Sequence, residues 1–200
     1  MIKYWTLCFL LFVLAGSAQV KVENDSIIIW NKDRKITWDD FLSEKKINFH
    51  KYDNRYEEHA DAAIAVSIQI YPKEVNCWDI DYMEVVAQMN KTKSWTKSKT
   101  DVVLNHEQIH FDIAELYARK IRKSITKFIE ENEECDLQGI ADIYYRLIDE
   151  HQKMQFLYDE ETKHSINFEK QKEWDKKIAR QLEENKDYEL IIDIDELGLD

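Results

Sequence analysis

The segment Val102–Lys123, VVLNHEQIHFDIAELYARKIRK, constrains the fold more than any other part of the chain. Its apolar residues recur every three or four positions, which predicts an amphipathic helix. Within it, His106, Glu107 and His110 form the pattern H-E-x-x-H. Residues four apart on a helix stand one turn above each other, so both imidazoles can reach one ion. Glu107 lies about 100° around the helix from His106, where it can contact a water on that ion.

These three side chains predict a zinc hydrolase. Two neutral nitrogen donors suit Zn²⁺, which lowers the pKa of a bound water, and Glu107 would accept the proton of that water as the general base. The expected reaction is the cleavage of a peptide or protein substrate, with one zinc ion per chain. Two alternatives stay open: a zinc-binding or partner-binding module without turnover, and an accidental motif on an ordinary helix.

A catalytic zinc site takes three protein ligands and leaves one position for water. Asp112 and Glu115 point away from the ion by helical geometry, and Leu116 stands where the metzincin pattern needs a histidine. Two candidates for the third ligand remain downstream. One is the acidic run Glu130–Glu134, and the other is His164, in a segment that we interpret as a turn between two helices.

Several polar residues could support this site. Tyr158 could donate a hydrogen bond to the oxyanion, although a packing tyrosine is the simpler interpretation. Asp112, Asp159 and Thr162 are candidates for groups that orient the ligands or the turn. His151 lies on an apolar helix face, which is typical of a core histidine whose nitrogens have partners inside the protein.

The N-terminal segment and the cysteines predict export. Lys3, the apolar run Tyr4–Ala15 and small residues up to Ala18 form a signal peptide over residues 1–18. Cys77 and Cys135 then remain, and an even pair in an oxidising compartment predicts a disulfide, with two separate buried thiols as the alternative. We therefore expect a periplasmic or secreted protein.

Charge and hydropathy restrict the partners. The net charge is −12 without a basic block, which argues against nucleic-acid binding. After the signal peptide, no segment is apolar enough to predict a membrane-spanning helix. The sequence does not indicate an oligomeric state.

The predicted fold is α+β and zincin-like, with a small antiparallel or mixed sheet packed on the motif helix and two further long helices. Residues 19–184 would form this domain, and residues 185–200 an acidic tail that adds an edge strand or hangs loose. Strands are predicted over Ser26–Trp30, Ala60–Tyr71 and Asp81–Asn90, with a loop over Lys45–Glu58. The helices are predicted over about 101–129, 137–157 and 165–184.

Four segments carry a resemblance to a known family. They are KITWDDF (35–41), SW (94–95), LNHEQIHFDIAELYAR (104–119) and YDEETKHSINFEKQKEW (158–174). They resemble a bacterial secreted family catalogued as a domain of unknown function (family 922) and described as a predicted zinc-dependent protease. The likeness runs from about Lys35 to Leu182.

The resemblance implies a third zinc ligand. The family pattern has a histidine in a Y-D-x-x-T-x-H turn, and that position is His164 here. In the family a glycine usually follows the glutamine of the motif and the later histidine. This chain has Ile109 and Ser165 at those two positions.

Overall fold

A computed structural model describes residues 20–44, 60–77, 80–132 and 134–199. The predicted signal peptide and the predicted loop Lys45–Glu58 lie outside the described residues. Five short strands come first, namely β1 (Ile27–Ile29), β2 (Ala62–Ala63), β3 (Val66–Tyr71), β4 (Glu84–Asn90) and β5 (Trp95–Thr96). Three helices follow, α1 (Asp101–Glu131), α2 (Leu137–Thr162) and α3 (Phe168–Glu184). The predicted α+β class is confirmed.

The sheets are small and antiparallel. Three strands are arranged in the order β1–β4–β3, and a second sheet pairs β2 with β5. In the central strand β4, Val85, Ala87 and Met89 are buried against the core of the protein. The predicted strand over Asp81–Asn90 begins only at Glu84, because Ile80–Tyr82 form a 3₁₀ turn.

The single strand predicted over Ala60–Tyr71 is wrong, because the chain leaves the sheet at Ile64 and Ala65. There the backbone N–H of Ile64 donates to Glu107 Oε2 at 2.9 Å, and that of Ala65 donates to Ser94 Oγ at 2.9 Å. Side chains from other elements therefore replace strand partners at this break. Period-two alternation of apolar residues cannot show such an interruption.

Helix α1 is the centre of the molecule. It packs against β3 and β4 on one side and against α2 and α3 on the other. Its middle turns are therefore buried on almost every side, as at Phe111, Ile113, Leu116 and Ile121. This position explains why charged residues of α1, including the motif, are removed from water.

Each helix begins at a polar residue that accepts a backbone hydrogen bond. Thr100, Asp136 and Asn167 take this role for α1, α2 and α3. Helix α2 continues to Thr162, so the end predicted at about residue 157 is wrong. The added turn buries polar side chains, which apolar periodicity does not reveal. Helix α3 begins at Phe168, three residues later than predicted.

The segment after α3 packs on the sheet. It contains 3₁₀ turns over Lys186–Tyr188 and Ile194–Leu197, and Ile194 is buried against Ile29, Tyr71 and Val86. The backbone N–H of Ile194 donates to Lys21 O at 2.8 Å. The tail is therefore neither an edge strand nor a loose end.

Cys77 and Cys135 form a disulfide with an S–S distance of 2.09 Å, which confirms the predicted pair. Among the described residues, no helix has both the length and the apolar character needed to cross a membrane.

Candidate metal centre

Three histidines and one aspartate meet where α1, α2 and the turn after α2 come together. Oδ1 of Asp159 lies 3.0 Å from Nε2 of His106 and 3.0 Å from Nε2 of His110, and these two nitrogens are 3.2 Å apart. His164 Nδ1 lies 3.4 Å from the same oxygen. The carboxylate of Asp159 is thus surrounded by three imidazoles.

The donor atoms fit a metal ion. Ligands about 2.0–2.1 Å from a tetrahedral zinc lie about 3.3 Å from one another, close to the separations in the triangle of His106, His110 and Asp159. His106, Asp159 and His164 also offer donor atoms that all lie within 4.8 Å of one another, so they could hold a metal ion. Imidazole and carboxylate donors suit zinc, among other divalent metals.

The charges in the cluster depend on each other. Although burial alone would raise the pKa of Asp159, the charge of His110 and hydrogen bonds from the three histidines hold it well below 3.8. Burial alone would lower the pKa of His110, yet the Asp159 carboxylate raises it to about 9. The cluster therefore attracts positive charge, either protons or a cation.

The turn after α2 holds His164 in an uncommon backbone conformation. Lys163, His164 and Ser165 have φ angles of 50°, 52° and 73°, in the left-handed region that favours glycine. The N–H of His164 donates to Asp159 O at 3.2 Å, and the N–H of Asn167 donates to Thr162 O at 2.8 Å. These bonds anchor the turn to the last turn of α2, beside Asp159.

Glu107 is buried beside the cluster and lines the same cleft. Burial raises its pKa above the ordinary value, although the nearby charges of His110 and His106 oppose that change. One carboxylate oxygen accepts the hydrogen bond from Ile64 N–H, which fixes the side chain against the strand break. Glu107 is thus held next to the cluster, with a tendency to accept a proton.

The cleft has a volume of about 470 Å³ and runs between β3 and α2. The cluster and Glu107 line it together with Ile64, Val66, Ile68, Tyr144, Ile148 and Phe156, which are apolar or aromatic residues. A group that entered this cleft could therefore reach both the cluster and Glu107.

Tyr158 and Thr162, two of the predicted supporting residues, lie in the last turns of α2 next to the cluster. Tyr158 is fully buried; its ring stacks on His106, and its hydroxyl donates to Gln171 Oε1 at 2.8 Å. Burial raises its pKa. Thr162 donates to Tyr158 O at 2.7 Å within α2. Tyr158 is therefore a packing residue of the cluster, as the simpler interpretation holds.

Asp112 is not brought to the cluster. Its Oδ1 accepts hydrogen bonds from Trp30 Nε1 at 2.7 Å and Gln108 Nε2 at 2.8 Å. Glu130 and Glu131 stand exposed in the last turn of α1, more than five helical turns beyond His110. Glu130 and Glu131 are therefore too far along α1 to complete the site.

Sequence reasoning misses Gln155 and Gln171 and gives Asp159 only a role in orienting the ligands. In the structure, Asp159 contacts all three histidines. Gln155 and Gln171 contact the outer nitrogens of His110 and His106 at 2.6 Å and 3.2 Å. A polar residue at an inward position of a predicted amphipathic helix is the signal that could have drawn attention to Gln171.

A family model described as "Bacterial protein of unknown function (DUF922)" matches residues 81–165. This match supports the family resemblance. It covers the part of the chain that contains His106, Glu107, His110, Asp159 and His164. No curated protein and no solved structure matches the chain.

Proposed function

We propose that the protein is an exported, zinc-dependent hydrolase of peptide bonds. One observation carries this proposal: a cluster of three histidines and an aspartate, buried except for His164, shares a cleft with the buried Glu107. The Cys77–Cys135 disulfide is compatible with an oxidising compartment outside the cytoplasm.

His106, His110 and Asp159 would hold the zinc ion, with His164 as a fourth, exchangeable donor. The His164 side chain is 30% exposed, whereas those of the other three are 10% exposed or less. When bound, zinc would supply a Lewis acid that polarises a carbonyl and acidifies a water. An exchangeable His164 leaves room at the cleft side for substrate.

Glu107 would act as the general base. Its raised pKa favours the uptake of a proton from a water, and that proton can then pass to the leaving amine. Ile64 N–H occupies one carboxylate oxygen and prevents the side chain from rotating away from the cluster. The strand break at Ile64 thus has a function in positioning the base.

The edge of β3 supports a peptide as the substrate. Asn90 N–H bonds to Ala65 O, so the alternating antiparallel pattern directs the backbone groups of Val66, Ile68 and Ile70 away from β4. Tyr144 of α2 donates to Ile68 O at 2.8 Å, which shows that this outer edge faces α2. An extended peptide could pair with the rest of the edge.

The strand predicted over Asp81–Asn90 does not offer such an edge. Strand β4 lies between β1 and β3, so both of its sides are paired. Within the described residues, the outer side of β3 has no strand beside it.

The decisive experiment compares Glu107→Gln with wild type, using fluorescein-labelled casein and a peptide library analysed by mass spectrometry. The variant should retain zinc and lose roughly 10²- to 10⁴-fold in rate, because the base is gone while the ligands remain. Glu130→Gln, an exposed change on the same helix, is the control and should cleave like wild type. Undiminished cleavage by Glu107→Gln would overturn this mechanism.

The number of metal-donor side chains favours a second possible function, which is structural zinc binding without catalysis. Four protein ligands can close a structural zinc site, and the cluster offers four. The Co²⁺-substituted protein separates the two cases. If acetohydroxamate changes the visible absorption of bound cobalt, a coordination position is available to substrate; if the spectrum does not change, the site is closed.

A further inference from the structure

The two motif histidines each have a buried glutamine at the ring nitrogen that faces away from Asp159. We propose that Gln155 and Gln171 are positioning residues that hold His110 and His106 in the tautomer with the proton on Nδ1. Without a cation, each Nε2 faces Asp159 Oδ1 at 3.0 Å; when a cation binds, Nε2 presents its lone pair to the cation while Nδ1 keeps its proton. The inference rests on the proposed function for its purpose, but the hydrogen bonds themselves can be tested without a metal.

Gln155 is oriented by a group that can only accept. Its Nε2 donates to the backbone oxygen of His110 at 2.9 Å. The amide oxygen therefore faces His110 Nδ1, at 2.6 Å. Because an amide oxygen can only accept, the hydrogen of this bond must belong to Nδ1 of the imidazole.

Gln171, on α3, orients His106 in the way that Gln155 orients His110. Its Nε2 donates to the carboxylate of Asp175 at 2.9 Å, which directs Oε1 towards His106 Nδ1 at 3.2 Å. Tyr158 donates to the same Oε1 at 2.8 Å. Because the carboxylate of Asp175 can only accept, it fixes the orientation of this amide, and His106 must donate from Nδ1.

His151 completes the network. Gln155 Nε2 has a second hydrogen and lies 2.9 Å from Nε2 of His151, so that nitrogen must accept and the ring must be neutral. Burial, with a smaller contribution from the charge of His110, lowers the pKa of His151 to about 4. The predicted core histidine therefore has a specific role, because it accepts the last hydrogen of the Gln155 amide.

Neutral amides suit this position. Asp159 and Glu107 already bring two carboxylates into the buried site, and burial of a third charge is costly. A glutamine accepts the imidazole N–H without adding negative charge. Partners that orient histidine ligands in this way typically change metal affinity 10- to 100-fold when they are lost.

The test uses Gln155→Met and Gln171→Met, which preserve side-chain length but remove the amide. Gln138→Met is the control, since Gln138 is exposed near the start of α2. Zinc affinity is measured by competition with a chromophoric chelator. Protonation of each ring nitrogen is read from ¹⁵N–¹H long-range NMR spectra of zinc-loaded and of metal-free protein.

Wild type should show Nδ1 protonated in both His106 and His110. Gln155→Met should disturb only the signals of His110, and Gln171→Met only those of His106, each with 10- to 100-fold weaker zinc binding. Gln138→Met should match wild type. A purely structural role would lower thermal stability without changing one ring selectively.

Two outcomes overturn the inference: wild-type rings in which Nδ1 carries no proton, or Met variants in which the Nδ1 signals of the paired ring are unchanged. Failure of wild type to bind zinc would instead overturn the proposed function. The spectra of the metal-free protein would then still decide whether the glutamines hold a proton on each Nδ1.

Discussion

Oδ1 of Asp159 lies 3.0 Å from Nε2 of His110, although the two residues are 49 positions apart in the chain. The contact forms because the last turn of α2 packs beside the motif on α1. The candidate metal site therefore depends on the packing of two helices as much as on the motif. Any change that displaces the end of α2 should weaken metal binding before it unfolds the protein.

Ser165→Gly should stabilise the protein. Ser165 has a φ of 73°, and a left-handed conformation costs an L-residue roughly 1–2 kcal/mol, partly offset by the greater flexibility of glycine when unfolded. The net gain should be about 1 kcal/mol, or a rise in melting temperature of about 2–4 °C, measured by calorimetry. Ser124→Gly, inside α1, should instead destabilise by about 0.5 kcal/mol. A lower melting temperature for Ser165→Gly would show that the turn is not strained at this residue.

Reduction of the disulfide should destabilise the protein. The bridge joins Cys77, after β3, to Cys135, before α2, across a sequence separation of 58. A loop of that size predicts a loss of about 2–4 kcal/mol in the free energy of unfolding. Urea denaturation with and without reductant measures the effect, and the double variant Cys77→Ala/Cys135→Ala should not respond to reductant. An unchanged wild-type midpoint would contradict the prediction.

The ion pair between Glu23 and Arg34 should stabilise the protein only above acidic pH. Hydrogen bonds from Arg34 lower the pKa of Glu23 from 4.5 to about 2. A lowered pKa contributes stability that is present above pH 4.5 and lost as the pH falls towards 2. Because the Glu23 side chain is 37% exposed, the contribution should be about 1 kcal/mol or less. Urea denaturation of wild type and Glu23→Gln should differ near pH 7 and converge near pH 2; an equal difference at both would contradict this account.

Much of the fold could be predicted from the sequence where periodicity is strong. The motif helix, the later helices and the strand containing Ile68 all show regular apolar spacing, and Thr100 marks the start of α1. What could not be predicted depends on contacts between distant segments. The strand break requires Glu107 and Ser94 to reach Ile64 and Ala65.

In the candidate site, too, the contacts between distant segments could not be predicted from the sequence. His106, Glu107 and His110 are adjacent on one helix, so their spacing alone indicates their chemistry. Asp159 and Gln155 belong to a helix whose polar inward positions look like an ordinary polar surface in the sequence. Only the packing of α2 on α1 shows that these polar groups face histidines.

The zinc content of the mature protein tests the proposed metal centre most directly, measured by elemental analysis for wild type, Asp159→Asn and His164→Ala. We expect about one zinc per wild-type chain, loss of zinc in Asp159→Asn, and weaker but retained binding in His164→Ala, because Asp159 contacts all three histidines. Thermal unfolding would confirm that the variants are folded. If wild type takes up no zinc after incubation with the metal, or if Asp159→Asn binds it as tightly as wild type, the proposed metal centre is wrong.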